Sequence, residues 1–198
     1  MKMNFYLFFI CFFWAIGFSM AAADLDTVKT YFPDGSLART YTKLKGTDVR
    51  EGLSISYHPN SRVAVEATYK AGKLDGVVKS YYENGNLMQT TGYKNDLEEG
   101  ISMSYQESGI RQLKEVYRAG VLHGTTSEYD EKGVLRRELP YLEGHLHGKA
   151  KIFDSLGSLS EDMDFVNGVR EGFFRRYNKG LVVHESEFRI NRCVKNCQ

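Results

Sequence analysis

The 198-residue chain is poor in cysteine and proline and has almost no net charge. It contains three Cys and three Pro, and its 26 Lys and Arg are matched by 25 Asp and Glu. Balanced charge gives no extended field of one sign to attract nucleic acid or anionic lipid. We therefore expect no nucleic acid as a partner, and contact with a membrane is disfavoured.

The chain also lacks an apolar run long enough to span a bilayer. Its longest, residues 5–18, has 14 residues, whereas a spanning helix needs about 18 to 20. Lys2 precedes this run and Ala21 to Ala23 follow it, which is the pattern of a signal peptide. We predict a signal peptide over residues 1–23, cleaved after Ala23, and a periplasmic or secreted product with no net charge. An uncleaved anchor is the less favoured alternative.

Export would remove Cys11 and leave Cys193 and Cys197 as the remaining cysteines. In an oxidising compartment this pair is expected to form a disulfide. The bond would close a very short loop, so it would order the tail more than stabilise the fold. A metal would need ligands that the tail does not supply, and we expect neither a metal nor another cofactor.

Glycine and aromatic residues recur with a period of 24. The glycines are Gly52, Gly76, Gly100, Gly124, Gly148 and Gly172. Five residues after each glycine stand Tyr57, Tyr81, Tyr105, Tyr129, Phe153 and Tyr177. Seventeen residues after the first five stand Tyr69, Tyr93, Tyr117, Tyr141 and Phe165. This spacing predicts a tandem structural repeat.

Two further glycines mark turns inside most units, for example Gly85 after Glu83-Asn84 and Gly168 after Asn167. Between turns the pattern has period two, with alternate residues from Leu87 to Tyr93 on one face. With three prolines and no helix-like stretch, we predict an all-β fold of 24-residue β-hairpin repeats. Six to seven hairpin units would form an elongated, twisted antiparallel meander sheet over residues 24–190. Residues 191–198 lack the repeat pattern and are expected to form a frayed tail.

The repeat motif resembles a known family. The segment Tyr81-Tyr82-Glu83-Asn84-Gly85-Asn86-Leu87, followed by Gly92-Tyr93-Lys94-Asn95 and Gly100, is similar to the MORN-repeat variant of bacterial proteins, and so is the segment from Tyr69 to Gly76. The resemblance covers about residues 31 to 190. It implies a MORN-like sheet and a kinship with YwqK-like antitoxin and immunity proteins. The family has no catalytic motif to carry over, and export would place a toxin partner in the periplasm or envelope.

Residues that could carry chemistry fall into the columns of the repeat. Asp75, Glu99, His123, His147 and Glu171 occupy one position in successive units. Equivalent positions on neighbouring hairpins lie about 9 to 10 Å apart, which favours a polar turn column over a zinc site. No Ser lies in a Gly-x-Ser-x-Gly context, and no Gly-rich phosphate loop precedes a helix. We therefore predict no catalytic residue and no enzyme activity.

The aromatic column from Tyr57 to Tyr177 has two interpretations. The favoured one makes it a stacked core between hairpins, and the other makes it an exposed recognition surface. Acidic clusters, including Glu161 to Asp164, would complement a basic partner. The candidate partner-binding residues are Tyr81, Tyr105, Tyr129, Glu98, Glu99, Asp130 and Glu131.

The predicted function is that of an exported immunity or antitoxin protein. It would neutralise a secreted antibacterial effector, such as a lipase, phospholipase or cell-wall hydrolase, by direct protein-protein binding. The alternatives are a structural or scaffolding envelope repeat protein and a peripheral membrane-associating module.

Overall fold

The computed structural model describes residues 23–197. The predicted signal peptide, with Cys11, lies outside the described residues except for Ala23. Across residues 23–197, no helix is long and apolar enough to cross a membrane.

Eighteen β-strands follow one another along this part of the chain. The first nine are β1 (Leu25–Tyr31), β2 (Leu37–Leu44), β3 (Arg50–Tyr57), β4 (Val63–Lys70), β5 (Lys73–Leu74), β6 (Gly76–Tyr81), β7 (Leu87–Lys94), β8 (Leu97–Tyr105) and β9 (Arg111–Arg118). The others are β10 (Val121–Leu122), β11 (Gly124–Tyr129), β12 (Leu135–Leu142), β13 (His145–Leu146), β14 (Gly148–Phe153), β15 (Leu159–Val166), β16 (Val169–Asn178), β17 (Leu181–Arg189) and β18 (Arg192–Lys195).

All these strands belong to one open antiparallel sheet in which sequence neighbours pair. The two-residue strands β5, β10 and β13 lead, after one residue, into β6, β11 and β14. Strand β1 pairs with β2, and β18 pairs with β17, so these two are the edge strands of the described sheet. The predicted all-β meander of hairpin repeats is confirmed.

Each full hairpin unit uses two kinds of turn, at opposite edges of the sheet. In the longer turn, Tyr82 N–H donates to the Asn86 carbonyl at 2.9 Å and Gly85 N–H donates to the Tyr82 carbonyl at 2.8 Å. Gly85 has φ +92° there, as expected for a type I turn followed by a bulge. In the tight turn, Ala71 has φ 50° and Gly72 has φ 84°, which is the mirror-image turn that suits twisted hairpins.

The glycine that sets the 24-residue period does not lie in either turn but at or near the start of a strand. Gly76 has φ +131°, and a Cβ there would lie 3.3 Å from Thr68 Cβ. Gly124 has φ +117°, and its Cβ would lie 3.1 Å from Val116 Cβ. All six of these glycines have positive φ, so a side chain would bring backbone strain. At all of them except Gly100 its Cβ would also lie within 4 Å of a neighbouring strand.

Successive tight turns are tied to one another. The Gly72 N–H donates to the Arg50 carbonyl at 2.8 Å. The Glu51 carboxylate accepts the Ala71 N–H at 2.7 Å. Glu99 repeats this contact with the Ala119 N–H at 2.8 Å. The glutamates before Gly52, Gly100 and Gly172 therefore cap the next tight turn, which gives these members of the polar turn column a structural role.

The chain beyond the last unit is more ordered than its sequence indicated. Strand β18 pairs with β17, with Phe188 opposite Cys193 and Arg189 opposite Arg192. Ile190 and Asn191, at φ 48° and 62°, form the tight turn without glycine. The expected frayed tail from residue 191 is therefore wrong for Arg192–Lys195, because an Asn can adopt the left-handed conformation on which the turn depends.

Few side chains of this single-layer sheet are deeply buried. The buried apolar residues are Ala67 and Ala150, and the buried polar ones include Ser54, Thr91 and Asp162. A single sheet has no second layer to cover it, so large side chains shield the small ones beside them. Stability then comes mainly from contacts between neighbouring strands, as in other repeat folds.

Candidate protein-binding site

The strand registers sort the side chains onto two faces of the sheet. We call face A the face that carries Tyr69, Tyr93, Tyr117, Tyr141 and Phe165, each directly opposite a period-setting glycine. Face B carries the column of Tyr57, Tyr81, Tyr105, Tyr129, Phe153 and Tyr177. The two aromatic columns of the repeat therefore lie on opposite faces.

A continuous row of cross-strand partners runs along face B. Each member pairs with the next, in the order Thr40, Ile55, Glu66, Lys79, Thr90, Met103, Lys114, Ser127, Glu138, Lys151, Asp162, Arg175 and Glu185. The charges alternate from Glu138 onwards. The nitrogen–oxygen distances are 3.1 Å between Lys151 and Glu138 and 2.7 Å between Arg175 and Glu185. Face B is thus neutralised internally in its C-terminal half.

Asp162 is the most enclosed charge in this row, with 4% of its surface exposed. Its carboxylate accepts the Tyr177 hydroxyl at 2.7 Å. It lies 3.5 Å from Lys149 Nζ and 3.6 Å from an Arg175 nitrogen. The hydrogen bond to Asp162 raises the pKa of Tyr177, and burial adds to the effect. The cluster holds the sheet together and is already satisfied by its own members.

Face A differs between its two halves. In the N-terminal half, small hydroxyl side chains occupy the middle of the sheet, and Thr91 and Ser102 are hydrogen-bonded to each other at 2.9 Å. Burial raises the pKa of Tyr117 to about 12, and the nearby carboxylates of Glu115 and Glu98 add to the effect. This half carries a small space of about 130 Å³ near Ala67.

In the C-terminal half of face A the same rows carry large apolar residues and enclose a groove of about 510 Å³. We call this the C-terminal groove. Its apolar lining residues are Leu139, Leu146, Ala150, Ile152, Met163, Phe165, Phe174 and Phe188. Because Ala150 is small and its neighbours are large, the surface is concave there.

Three arginines, Arg137, Arg170 and Arg176, also line the C-terminal groove. Arg176 lies 5.2 Å from the centre of the Phe174 ring, and Arg170 lies 5.8 Å from that of Phe188. Arg137 and Arg176 pair with Glu128 and Glu161, whereas within residues 23–197 no carboxylate pairs with Arg170. The groove combines an apolar floor with arginine side chains that can bind an acidic or aromatic group of a partner.

The lining of the C-terminal groove contains two carboxylates, Glu161 and Asp162, and both are paired with cations of this chain. It contains no Ser, Thr, Cys or His, so it offers no nucleophile beside a base. Its composition is suited to binding.

The candidate partner-binding tyrosines lie on face B and are half-buried. Tyr81 donates its hydroxyl to Glu66 at 3.1 Å. The Tyr105 hydroxyl lies 3.4 Å from Met103 Sδ, and that of Tyr129 accepts from Arg111 at 3.4 Å. Each hydroxyl therefore has a partner within the sheet.

The four candidate acids lie at opposite edges of the sheet. Glu98 and Glu99 lie at the tight-turn edge, where Glu99 caps a turn. Asp130 lies in a longer turn and accepts the N–H groups of Lys132 and Val134, each at 2.9 Å. These hydrogen bonds lower its pKa. Asp130, Glu131 and Tyr129 share a depression of about 440 Å³, and Glu98 and Glu99 lie away from it.

The acidic run Glu161 to Asp164 is also used within the molecule. Glu161 pairs with Arg176 at 3.2 Å, and Asp164 pairs with Lys149 at 2.8 Å. With Asp162 enclosed on face B, this run does not present a free acidic surface to a basic partner.

The expected stacking of the tyrosine column into a core does not occur. Within the described residues, the one pair of aromatic rings in contact is Phe174 and His184, whose centres are 6.0 Å apart. Equivalent tyrosines are two strands apart, about 10 Å, so the intervening strand separates them. Each aromatic side chain of this column is half-buried, so part of it packs within the sheet and part of it is exposed to solvent.

The turn histidines do not form a metal site. His147 Nδ1 lies 3.1 Å from the side-chain oxygen of Asn167. In the part of the chain that the structure describes, no three His, Cys, Asp or Glu side chains are grouped so that they could hold a metal ion. Cys193 and Cys197 form a disulfide with an S–S distance of 2.06 Å.

Comparison with known proteins supports the repeat assignment. Residues 50–71, 74–95 and 122–143 match the model of the MORN repeat variant family. Repeats of this family suggest a binding or scaffolding module and are generally non-catalytic. The search of curated proteins found no match.

A chain in the structure of the "Glycosylation Associate Protein (Gap123) complex from Streptococcus agalactiae" is similar to 56% of this chain. The identity is 17% and the TM-score 0.32, and the match covers 20% of that other chain. This chain therefore spans about a fifth of that one, and a likeness at this level carries no argument about function.

The residues of the C-terminal groove were not among the candidates from the sequence. A signal for them is nevertheless present. Fifteen residues after the first five period-setting glycines, the units carry Ala67, Thr91, Glu115, Leu139 and Met163 in turn. The change to large apolar residues at Leu139 becomes visible when the units are aligned on their glycines.

Proposed function

We propose that the protein is a non-catalytic binding module that holds a protein partner on face A, with the C-terminal groove at the centre of the contact. The observation that carries this proposal is the groove itself, with eight apolar and three arginine side chains in its lining. Aromatic residues and arginine are enriched at the buried centres of protein interfaces. In the other half of face A, Thr91 and Ser102 are buried and bonded to each other, so the contact would centre on the groove.

Within this class, we propose an immunity or antitoxin role. The partner would be a secreted antibacterial effector, such as a lipase, phospholipase or cell-wall hydrolase, and the site of action the periplasm or the exterior. Two sequence features support this role: the apolar leader that ends at Ala23, and the resemblance to bacterial antitoxin components. Direct binding would suffice, because neutralisation requires only that the partner's active site be covered.

The depression beside Tyr129, Asp130 and Glu131 is a second contact in this proposal. It lies at the longer-turn edge, which a large partner seated on face A could also reach. Glu98 and Glu99, at the tight-turn edge, are retained as peripheral contacts. Tyr81 and Tyr105 lie on face B with their hydroxyls bonded inside the sheet, so they are not part of a contact on face A.

The test uses two isoleucines with similar exposure on opposite faces. Ile152 lines the C-terminal groove and is 41% exposed, while Ile101 lies on face B and is 50% exposed. Ile152→Asp places a charge on the groove floor and should weaken partner binding at least tenfold, whereas Ile101→Asp should leave it unchanged. The partner candidates are the products of the adjacent genes, tested by calorimetry with each variant.

The immunity role is tested separately in living cells. Production of the chain in the periplasm should protect against a co-encoded effector, and Ile152→Asp should reduce that protection while Ile101→Asp does not. If no co-encoded product binds and no protection is seen, the immunity role is wrong.

A scaffolding role is the second candidate, and the length of the sheet favours it. Fifteen strand positions, counting each short strand with its continuation, give a sheet about 70 Å long at the usual strand spacing. Such a surface could hold several envelope proteins at once. Simultaneous binding of two envelope components on one copy, with no toxin among the adjacent genes, would favour scaffolding over immunity. A peripheral membrane role is the third and would require binding to neutral vesicles.

A further inference from the structure

The two edge strands of the sheet are protected to very different degrees. Strand β18 has four residues, carries Arg192 and Lys195, and is followed by the Cys193–Cys197 disulfide. Short length and cations are common ways to keep an edge from pairing with another chain. Strand β1 has seven residues and no proline, and among residues 23–197 no strand pairs with its outer side. It is the open edge of the described sheet.

Hydrogen bonds at both ends of β1 identify which backbone groups point outward. The Asp24 carbonyl accepts the Lys45 N–H at 3.0 Å, and the Phe32 N–H donates to the Ser36 carbonyl at 2.8 Å. In an antiparallel ladder, residues directed at the neighbour alternate with residues directed away. The N–H and C=O groups of Leu25, Thr27, Lys29 and Tyr31 therefore point away from β2.

We propose that two copies of this chain associate by antiparallel pairing of their β1 strands about a twofold axis through Val28. This register places Val28 opposite Val28 of the second copy, Thr27 opposite Lys29, and Leu25 opposite Tyr31. It matches all seven residues of the strand. The outward groups would form about eight hydrogen bonds across the interface.

The side chains fit this pairing. Leu25 is 39% exposed and Tyr31 is 60% exposed, and the register brings them together twice, once on each side of the axis. Cross-strand apolar pairs of this kind stabilise antiparallel sheets. Lys29 faces Thr27, so the two lysines are not opposed, and Asp26 faces Thr30. No like charges therefore stand directly opposite one another, and the two lysines are diagonal neighbours about 7–8 Å apart.

A closed dimer fits this edge better than an open filament of many copies. Pairing of β1 with β18 would repeat from molecule to molecule and build an open filament, and the features of β18 oppose it. Twofold pairing of β1 closes after two molecules. The axis is perpendicular to the sheet, so face A points the same way in both copies and the dimer presents two C-terminal grooves on one side. This goes beyond the proposed function, because it makes the module bivalent.

Disulfide trapping tests the register directly. At the non-hydrogen-bonded position on the axis, the two Val28 Cα atoms would be about 4.5 Å apart, within the range that a disulfide spans. Asp26→Cys is the matched control, since the two cysteines of the dimer would then be separated by four residues along the strand, about 14 Å. The full chain, exported under oxidising conditions, should give mainly crosslinked dimer with Val28→Cys and mainly monomer with Asp26→Cys on non-reducing gels.

Sedimentation of the protein without added cysteines tests the dimer itself. An edge contact of seven residues is small compared with stable interfaces, so concentrations up to about 100 μM are needed. Thr27→Pro removes an outward N–H without breaking a hydrogen bond to β2, and it should weaken dimerisation at least tenfold. Thr27→Ala keeps the N–H and should dimerise like the unchanged protein.

Three outcomes would overturn the proposal. One is a protein that remains monomeric across this range, and another is equal crosslinking of Val28→Cys and Asp26→Cys. The third is growth into species larger than a dimer, which would point to pairing of β1 with β18. If Thr27→Pro disturbs the sheet in circular dichroism, the pair of cysteine variants still decides the register.

Discussion

Replacing Asp162 by Asn removes one charge from the most enclosed ionic cluster of the sheet and keeps the size of the side chain. Asp162 lies between Lys149 and Arg175 and accepts the Tyr177 hydroxyl at 2.7 Å. The amide oxygen of Asn can still accept that hydroxyl. What is lost is the negative charge between two cations.

The size of the effect follows from the exposure of the partners. Removing one member of a buried ion pair costs about 3–5 kcal/mol. Lys149 and Arg175 are partly exposed and keep other partners, Asp164 at 2.8 Å and Glu185 at 2.7 Å. Solvent and these carboxylates compensate part of the loss, so we expect a decrease of about 2 kcal/mol in the free energy of unfolding.

Glu66→Gln is the matched control because Glu66 occupies the same position in an earlier unit. It also accepts a tyrosine hydroxyl, that of Tyr81 at 3.1 Å, and pairs with Lys79 at 3.8 Å. Glu66 is considerably more exposed, so its removal should cost less than about 1 kcal/mol. The difference between the two variants isolates the effect of burial.

Urea unfolding followed by far-ultraviolet circular dichroism measures both variants. With a slope of about 2 kcal/mol per molar urea, Asp162→Asn should lower the midpoint by about 1 M, and Glu66→Gln by less than about half of that. Equal shifts in the two variants would contradict the role given to burial. No shift in either would contradict the role of the ion pairs.

Three further perturbations test the backbone, the ionisation of a tyrosine and the C-terminal edge. A Cβ at Gly92 would collide with the backbone oxygen of Glu99, so Gly92→Ala should cost about 2 kcal/mol or more. Gly109→Ala, with φ +86° and open space around it, should cost about 1 kcal/mol, and the same urea unfolding measures both variants. The raised pKa of Tyr117, about 12, means that the folded state holds this proton more tightly than the unfolded state. Its contribution should be complete below about pH 10 and be lost as the pH rises towards 12, a loss that Tyr117→Phe should abolish in unfolding curves. Cys193→Ser should speed amide exchange in β18 without a measurable change in the overall unfolding midpoint, since the disulfide joins residues only four apart.

The fold could be predicted from sequence because its turns depend on local chemistry. Gly85 and Gly168 mark turns that require a positive φ, and few residues other than glycine adopt it without strain. Each stretch between two turns forms a strand, and its side chains then alternate between the two faces of the sheet. The tail shows the limit of this reasoning, because Ile190 and Asn191 form a tight turn without any glycine.

The site could not be predicted in the same way because it depends on which residues become neighbours across strands. Arg170 and Phe188 are 18 positions apart in sequence, yet the guanidinium lies over the ring in the folded sheet. A β-bulge between Ser80 and Tyr81 also makes Leu87, and not Met88, the partner of Tyr81. Such a shift moves a side chain from one face to the other. The sequence predicts candidate residues in columns of the repeat, and in the folded sheet those columns lie on both faces and both edges.

Conversely, the repeat itself indicates where specificity can reside. The period-setting glycines all have positive φ, so the backbone of each unit depends on them and they cannot vary to suit different partners. The positions of Ala67, Thr91, Glu115, Leu139 and Met163 are not constrained in this way and do change along the chain. In a repeat fold each unit contacts only its neighbours, so a substitution there alters one part of face A without disturbing the rest. The groove exists where these positions become large and apolar, and replacement of single units should therefore change the partner while leaving the sheet intact.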